Sequence, residues 1–265
     1  MSRLVVSDVD GTLVRSDKSL APATVAAAQR LIAEGGQMTL ISARPPSGIL
    51  PLARQMGLPG PFGAFNGGTI FAADGAVLDA HRLDAEVSRR AVEAIAPHRV
   101  TIWLFADGRW FSTDDTNPHT DAERRSTFSE PVLVSDFEAL HGRVDKIVAV
   151  CDDPDLMARL SDDVSAALGD GAEVALSQTY YCDITHPEAN KGAGVARLAE
   201  ALGVALADTV VIGDMPNDLP MFRRAGHAIA MGQAPQRVRD AASAVTASND
   251  EDGVARAIEG LIGPR

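Results

Sequence analysis

Short, nearly unbroken apolar runs alternate with longer segments of helical period at both ends of the chain. Residues 4–7, 38–41 and 209–212 are such runs, and each stops at small or acidic residues. Strands buried on both faces of a parallel sheet read this way. Between the first two runs the spacing predicts a helix over 21–34, with Pro22 near its start and Gly35-Gly36 behind it. The C-terminal third repeats the alternation: helix 191–202, strand 209–212, helix 216–223, strand 227–230 and a last helix near 254–261. The expected class is α/β, a Rossmann-like parallel sheet with helices on both faces.

The middle of the chain has another pattern. Residues 100–105 and 110–113 flank Asp107-Gly108, a hairpin signal. Asp153-Pro154 opens a helix bearing Leu156, Leu160 and Val164, with Asp153 as N-cap, and 173–177 with 179–184 form a second expected hairpin. These elements predict an α+β unit at 82–186, inserted into a domain made of 1–81 and 187–265. The two crossings between them would form a hinge.

A length of 265 residues, 46% of them apolar, supports a full core. The net charge of −12 argues against a nucleic-acid partner, since phosphate backbones are bound mainly through Lys and Arg. No run approaches the roughly 18 apolar residues of a membrane span, so a cytoplasmic protein without a membrane partner is expected. Cys151 and Cys182 have neither metal-ligand spacing nor the density of a disulfide scaffold, and read as reduced core residues. Of 24 basic residues only Lys18, Lys146 and Lys191 are lysine. Genome composition alone could produce that bias, yet a position that keeps lysine is a candidate for needing a compact ammonium.

Asp8 and Asp10 follow the first strand, Ser42 the second and Asp214 the third, and open α/β sheets bind ligands at these carboxyl ends. Carboxylates so placed repel one another unless a cation offsets them, and hard oxygen ligands suit Mg²⁺. Each piece alone has an ordinary reading. "DVDGTL" can be an Asx-type turn, Lys191 a solvated residue of a helix capped by Asn190, and Asp214 or Asp218 a charge at a helix N-terminus.

In order, the pieces resemble the haloacid dehalogenase (HAD) superfamily, in its Cof-like subfamily IIB of phosphatases. DxDGT matches at Asp8, Asp10, Gly11 and Thr12, the strand-ending hydroxyl at Ser42, the lysine at Lys191, and GDxxND at Gly213, Asp214, Asn217 and Asp218. Ser42-Ala43-Arg44 stands where relatives often carry Thr-Gly-Arg, and "NGG" from Asn66 and "NDEDGVA" from Asn249 also resemble this branch. The resemblance implies a HAD core at 1–81 and 187–265 with a C2-type cap at 82–186, because the insertion falls between Ser42 and Lys191. It also implies a Mg²⁺-dependent phosphatase acting on a small phosphorylated metabolite, of sugar-phosphate or cofactor-phosphate type. Asp8 would be the nucleophile and carry an aspartyl-phosphate, and Asp10 the general acid and base, in a drier position than Asp8. Asp8, Asp214 and the Asp10 main-chain carbonyl would hold the metal. Ser42, Lys191 and the N–H groups of Gly11 and Thr12 would hold the phosphoryl oxygens. Arg44, Asn66, Gly67 and Asn217 would contribute to substrate binding and positioning, with Asp218 in support. Cap candidates for reading the leaving group are Trp103, Trp110, His119, Arg124, Arg125, Lys146 and Tyr181. A monomer or homodimer is expected. The alternatives are a phosphomutase with a similar cap and a catalytically silent metal- or phosphate-binding regulator.

Overall fold

β1 (Leu4–Ser7) is buried along its whole length, as an unbroken apolar run must be when both faces of its sheet are covered. The computed structural model describes residues 4–263. After β1 come α1 (Pro22–Ala33), β2 (Gln37–Leu40) and α2 (Pro46–Met56), followed by a small three-stranded sheet of β3 (Phe62–Ala64), β4 (Thr69–Phe71) and β5 (Val77–Ala80). The chain then builds α3 (Ala85–Ile95), β6 (Thr101–Ala106), β7 (Arg109–Ser112), α4 (Thr120–Thr127), β8 (Val132–Leu133), β9 (Val144–Val150), α5 (Pro154–Leu168), β10 (Glu173–Gln178) and β11 (Tyr181–Thr185). It ends with α6 (Lys191–Ala201), β12 (Thr209–Gly213), α7 (Leu219–Phe222), β13 (His227–Ala230), α8 (Gln236–Asp240), β14 (Ala244–Val245) and α9 (Gly253–Ile262).

Two compact units result. One takes the residues up to Asp79 and from Asn190 onward, the other Ala80–Ala189. The first unit is α/β, with a parallel sheet in the order β14-β13-β12-β1-β2. Ile41 extends the sheet by a parallel bridge to Gly63. Leu4 and Val6 of β1, Val211 of β12, and Val195, Leu198 and Ala199 of α6 share one core. From β1 the chain moves to β2 on one side, while β12, β13 and β14 fill the other. In open α/β sheets a reversal of this kind puts the ligand-holding loops at the carboxyl ends of the strands where it occurs, here β1 and β12.

The second unit is built on a mostly antiparallel sheet, β10-β11-β9-β6-β7-β8, in which β7 and β8 run parallel. Alternation sends Leu104, Ile147, Cys182 and Ile184 into a core shared with Ala91 and Ile95 of α3 and Leu160 and Val164 of α5. Asp153 caps α5 through the N–H groups of Asp155 and Leu156. Trp103, Phe105, Trp110 and Lys146 occupy alternate positions; the two indoles meet edge to face at 5.1 Å, and Lys146 Nζ lies 3.6 Å from Asp183. Both cysteines are free, Cys182 buried and Cys151 partly so. The helix expected over 216–223 forms as a 3₁₀ turn at Pro216–Asp218 that runs directly into α7, the turn being held by the Asp218 side chain.

Candidate active site

The loop after β1 leaves the sheet in a defined geometry. Asp8 N–H donates to Ile212 O of β12 at 3.0 Å, which places the first acid beside the end of the neighbouring strand. Asp10 (φ −79°, ψ 123°) and Gly11 (φ 76°, ψ −3°) then adopt the dihedrals of a type II turn, whose second central position needs φ > 0. Glycine is required there for space as well. A Cβ on Gly11 would lie 2.3 Å from Asp214 Oδ2. Thr12 closes the turn onto the same acid, its Oγ1 donating to Asp214 Oδ1 at 2.8 Å.

Lys191 enters from the first turn of α6, where the Asn190 side chain caps the helix by accepting from Ala193 N–H. Its ammonium, 1% exposed, donates at 2.6 Å to both Asp8 Oδ1 and Asp218 Oδ1. The other oxygen of Asp218 accepts from the N–H groups of Asp214 (2.8 Å) and Met215 (2.9 Å). Asp218 therefore fixes the turn after β12 and the position of Lys191 together.

Asp8, Asp214 and Asp218 each offer an oxygen within a 4.8 Å cluster, and all three are buried. Three carboxylates against one ammonium leave two negative charges uncompensated within the group. Burial, reinforced by Asp218 and Asp214, pushes Asp8 well above the usual carboxylate range despite Lys191. Burial also pushes Asp214 up, to about 6, against the pull of the Thr12 hydrogen bond. For Lys191, burial is outweighed by Asp218 and Asp8, and the ammonium is held more firmly than usual. An excess of buried carboxylate oxygen is what a hard divalent cation such as Mg²⁺ relieves. Since Asp218 has both oxygens committed to protein donors, Asp8 and Asp214 are the side chains left to face one.

Asp10 stands apart. Its side chain is 38% exposed, not drier than that of Asp8, and is gripped by cations: Arg44 donates to both oxygens (2.6 and 2.7 Å) and Lys18 Nζ to Oδ1 (2.8 Å). Burial of the carboxyl is outweighed by Arg44 and then Lys18, which hold it well below the usual range. The environments of the two acids are thus reversed from the sequence expectation. Arg44, 6% exposed, also donates to Gly48 O, so its guanidinium serves Asp10 and the start of α2 in this structure.

The remaining candidates lie in the same unit. Ser42 is buried after β2, and its Oγ accepts from Arg44 N–H at 3.2 Å. Its carbonyl accepts from Asn66 N–H at 2.7 Å, which straps the "NGG" segment to the end of β2. Asn217 Nδ2 lies 3.4 Å from Asn66 Oδ1. Gly67 has a packing reason to be glycine, because a Cβ there would lie 2.6 Å from Gly194 Cα of α6. Trp103, Trp110, His119, Arg124, Arg125, Lys146 and Tyr181 all belong to the second unit. Sequence reasoning missed Lys18 and Gln233, whose Nε2 donates to Gly11 O at 2.6 Å. Lysine scarcity was a usable signal for the first, since Lys18, Lys146 and Lys191 all lie against carboxylates.

The haloacid dehalogenase-like hydrolase family matches residues 5–258. The HMP-PP phosphatase of Cronobacter sakazakii is 29% identical over 235 residues, covering 88% of this chain and 85% of its own. A solved haloacid dehalogenase-like hydrolase from Bacteroides thetaiotaomicron superposes with a TM-score of 0.90 at 27% identity, over 98% of this chain and 100% of that one. A HAD subclass IIB sugar phosphatase shares the fold, with a TM-score of 0.85 at 22% identity over 98% and 99% of the two chains. From β1 into α9, with its acids gathered at the strand ends, the chain belongs to the haloacid dehalogenase-like hydrolase family.

Proposed function

We propose that this HAD-type phosphatase, a phosphoric monoester hydrolase, cleaves small metabolites of sugar-phosphate or cofactor-phosphate type through an aspartyl-phosphate on Asp8. The observation that carries this is the buried contact of Asp8 with Lys191 at 2.6 Å, inside a cluster shared with Asp214 and Asp218 at the ends of β1 and β12. The 29%-identical relative bearing a phosphatase name agrees with it. The unit Ala80–Ala189 would act as the cap that excludes bulk water during the reaction.

In the first step an Asp8 oxygen attacks phosphorus as the bond to the leaving oxygen breaks, and Asp10 gives that oxygen a proton. Water then attacks the phosphorus of the acyl phosphate, Asp10 takes its proton, and Asp8 leaves as carboxylate. Asp10 as found is ionised by Arg44 and Lys18, the state needed for the second step. The negative charge of a bound phosphate raises the proton affinity of nearby carboxylates and so favours the first. Lys191 offsets the burial of Asp8 and shares the charge of the phosphoryl oxygens with Ser42 and the Gly11 and Thr12 N–H groups. Asp8, Asp214 and the Asp10 carbonyl would hold Mg²⁺, which when bound neutralises the surplus carboxylate charge and that of the transferring phosphoryl group. A panel of phosphorylated metabolites assayed for phosphate release is expected to give Mg²⁺-dependent turnover that Asp8→Asn abolishes while the protein stays folded. No release from any monoester, or full activity in Asp8→Asn, would overturn the proposal.

A further inference from the structure

Asp10 and Gly11 turn the chain directly after the nucleophile, yet glycine at φ 76° is the residue least able to hold a conformation by itself. Its carbonyl is held from outside. Gln233 Nε2 donates to Gly11 O at 2.6 Å, Gln233 Oε1 accepts from Asn249 N–H at 3.2 Å, and Asn249 Nδ2 donates to Val14 O at 3.0 Å. Two side chains from the C-terminal part of the unit thus link the middle of the loop to its end. The residues after Asn249 continue the grip: Asp250 accepts from the N–H and Oγ of Ser16, and Asp252 from Arg15 at 2.8 Å. Segment 15–19 carries Lys18, which reaches Asp10. The "NDED" stretch therefore has a physical task that its chemistry in the motif does not reveal.

A peptide unit is planar and trans, so fixing the direction of Gly11 O also fixes that of Thr12 N–H, which points the opposite way. We propose that Gln233, braced by Asn249, is a positioning residue for phosphoryl transfer that sets the Gly11–Thr12 peptide plane and so aims the Thr12 N–H. This rests on the functional proposal above, in which that N–H is a phosphoryl donor. Gln233 is exposed, and exposed hydrogen bonds add little net stability. Its loss should therefore show in the geometry of the loop rather than in global unfolding.

Two variants of the full chain test this. Gln233→Glu keeps the length and the acceptor for Asn249 N–H but replaces the donor facing Gly11 O with an acceptor, whereas Gln233→Met removes both. With p-nitrophenyl phosphate and Mg²⁺, both are expected to lower kcat on the order of 10-fold and to weaken inhibition by inorganic phosphate by a similar factor. Melting temperatures should stay close to wild type, while amide exchange across residues 8–14 speeds up. Wild-type kcat and phosphate inhibition in folded Gln233→Glu would overturn the proposal, as would a lowered melting temperature with kcat intact. If the wild type hydrolyses no phosphomonoester, the functional reading fails, and exchange across 8–14 still decides the strut: unchanged exchange in Gln233→Glu sinks it.

Discussion

Asp214 shows at the scale of one residue how the site stores unfavourable charge. Burial pushes its pKa in the folded protein to about 6, above the ordinary 3.8. Between those values the folded state binds more protons than the unfolded chain, so without metal its contribution to stability falls as pH rises from about 4 to about 6. Burial also lowers the pKa of His141, in the other unit. The clean readout is the difference from Asp214→Asn. In chelator, the wild type should lose stability relative to the variant across that window, measured by urea midpoints, and Mg²⁺ should reverse the loss. Parallel pH profiles for the two proteins would contradict it. Asp8, Lys191 and Asp214 were legible in the sequence because their order along the chain is a strong pattern. Gln233 was not, since its partner Gly11 lies 222 residues away and nothing in a lone exposed glutamine predicts which carbonyl it meets.

Strand ends and turns are the elements that make the site, and two glycines separate their roles. Gly11 and Gly57 both have positive φ, at 76° and 71°, but a Cβ on Gly57 meets nothing within 4 Å. Gly57→Ala at the end of α2 should cost about 1 kcal/mol from the left-handed backbone alone and leave kcat unchanged. Gly11→Ala adds the clash with Asp214 Oδ2 and should lower kcat at least on the order of 100-fold. Equal kinetics in the two variants would show that the turn does not shape the site. β1 and β12 were visible as unbroken apolar runs. β9 was harder to see, because Asp145 and Lys146 interrupt its apolar pattern although all seven of its residues are buried. Those charges are tolerated through partners distant in sequence: Asp145 meets Arg82, and Lys146 meets Asp183 and the face of Phe105. The small sheet β3-β4-β5 was missed for a related reason, its strands being three or four residues long and too short to show a period.

At the scale of the whole molecule, the switch from helix-strand alternation to hairpins coincides with a division into two compact units. The chain divides after Asp79 and again after Ala189, each unit with its own core. The exact crossings were not legible, because β5 is short and exposed and the second crossing falls in a loop before the cap of α6. The division brings both halves of the acidic cluster into one unit, Asp8 from the first segment and Lys191, Asp214 and Asp218 from the last. In the mechanism we propose, this cluster makes Asp8 a phosphoryl acceptor. The most direct test is acid quench during turnover of a radiolabelled phosphomonoester, followed by digestion and mapping of the label. Label on the peptide containing Asp8, absent from Asp8→Asn, is the predicted result. Steady phosphate release with no labelled protein under any quench condition, or label on another residue, would contradict it.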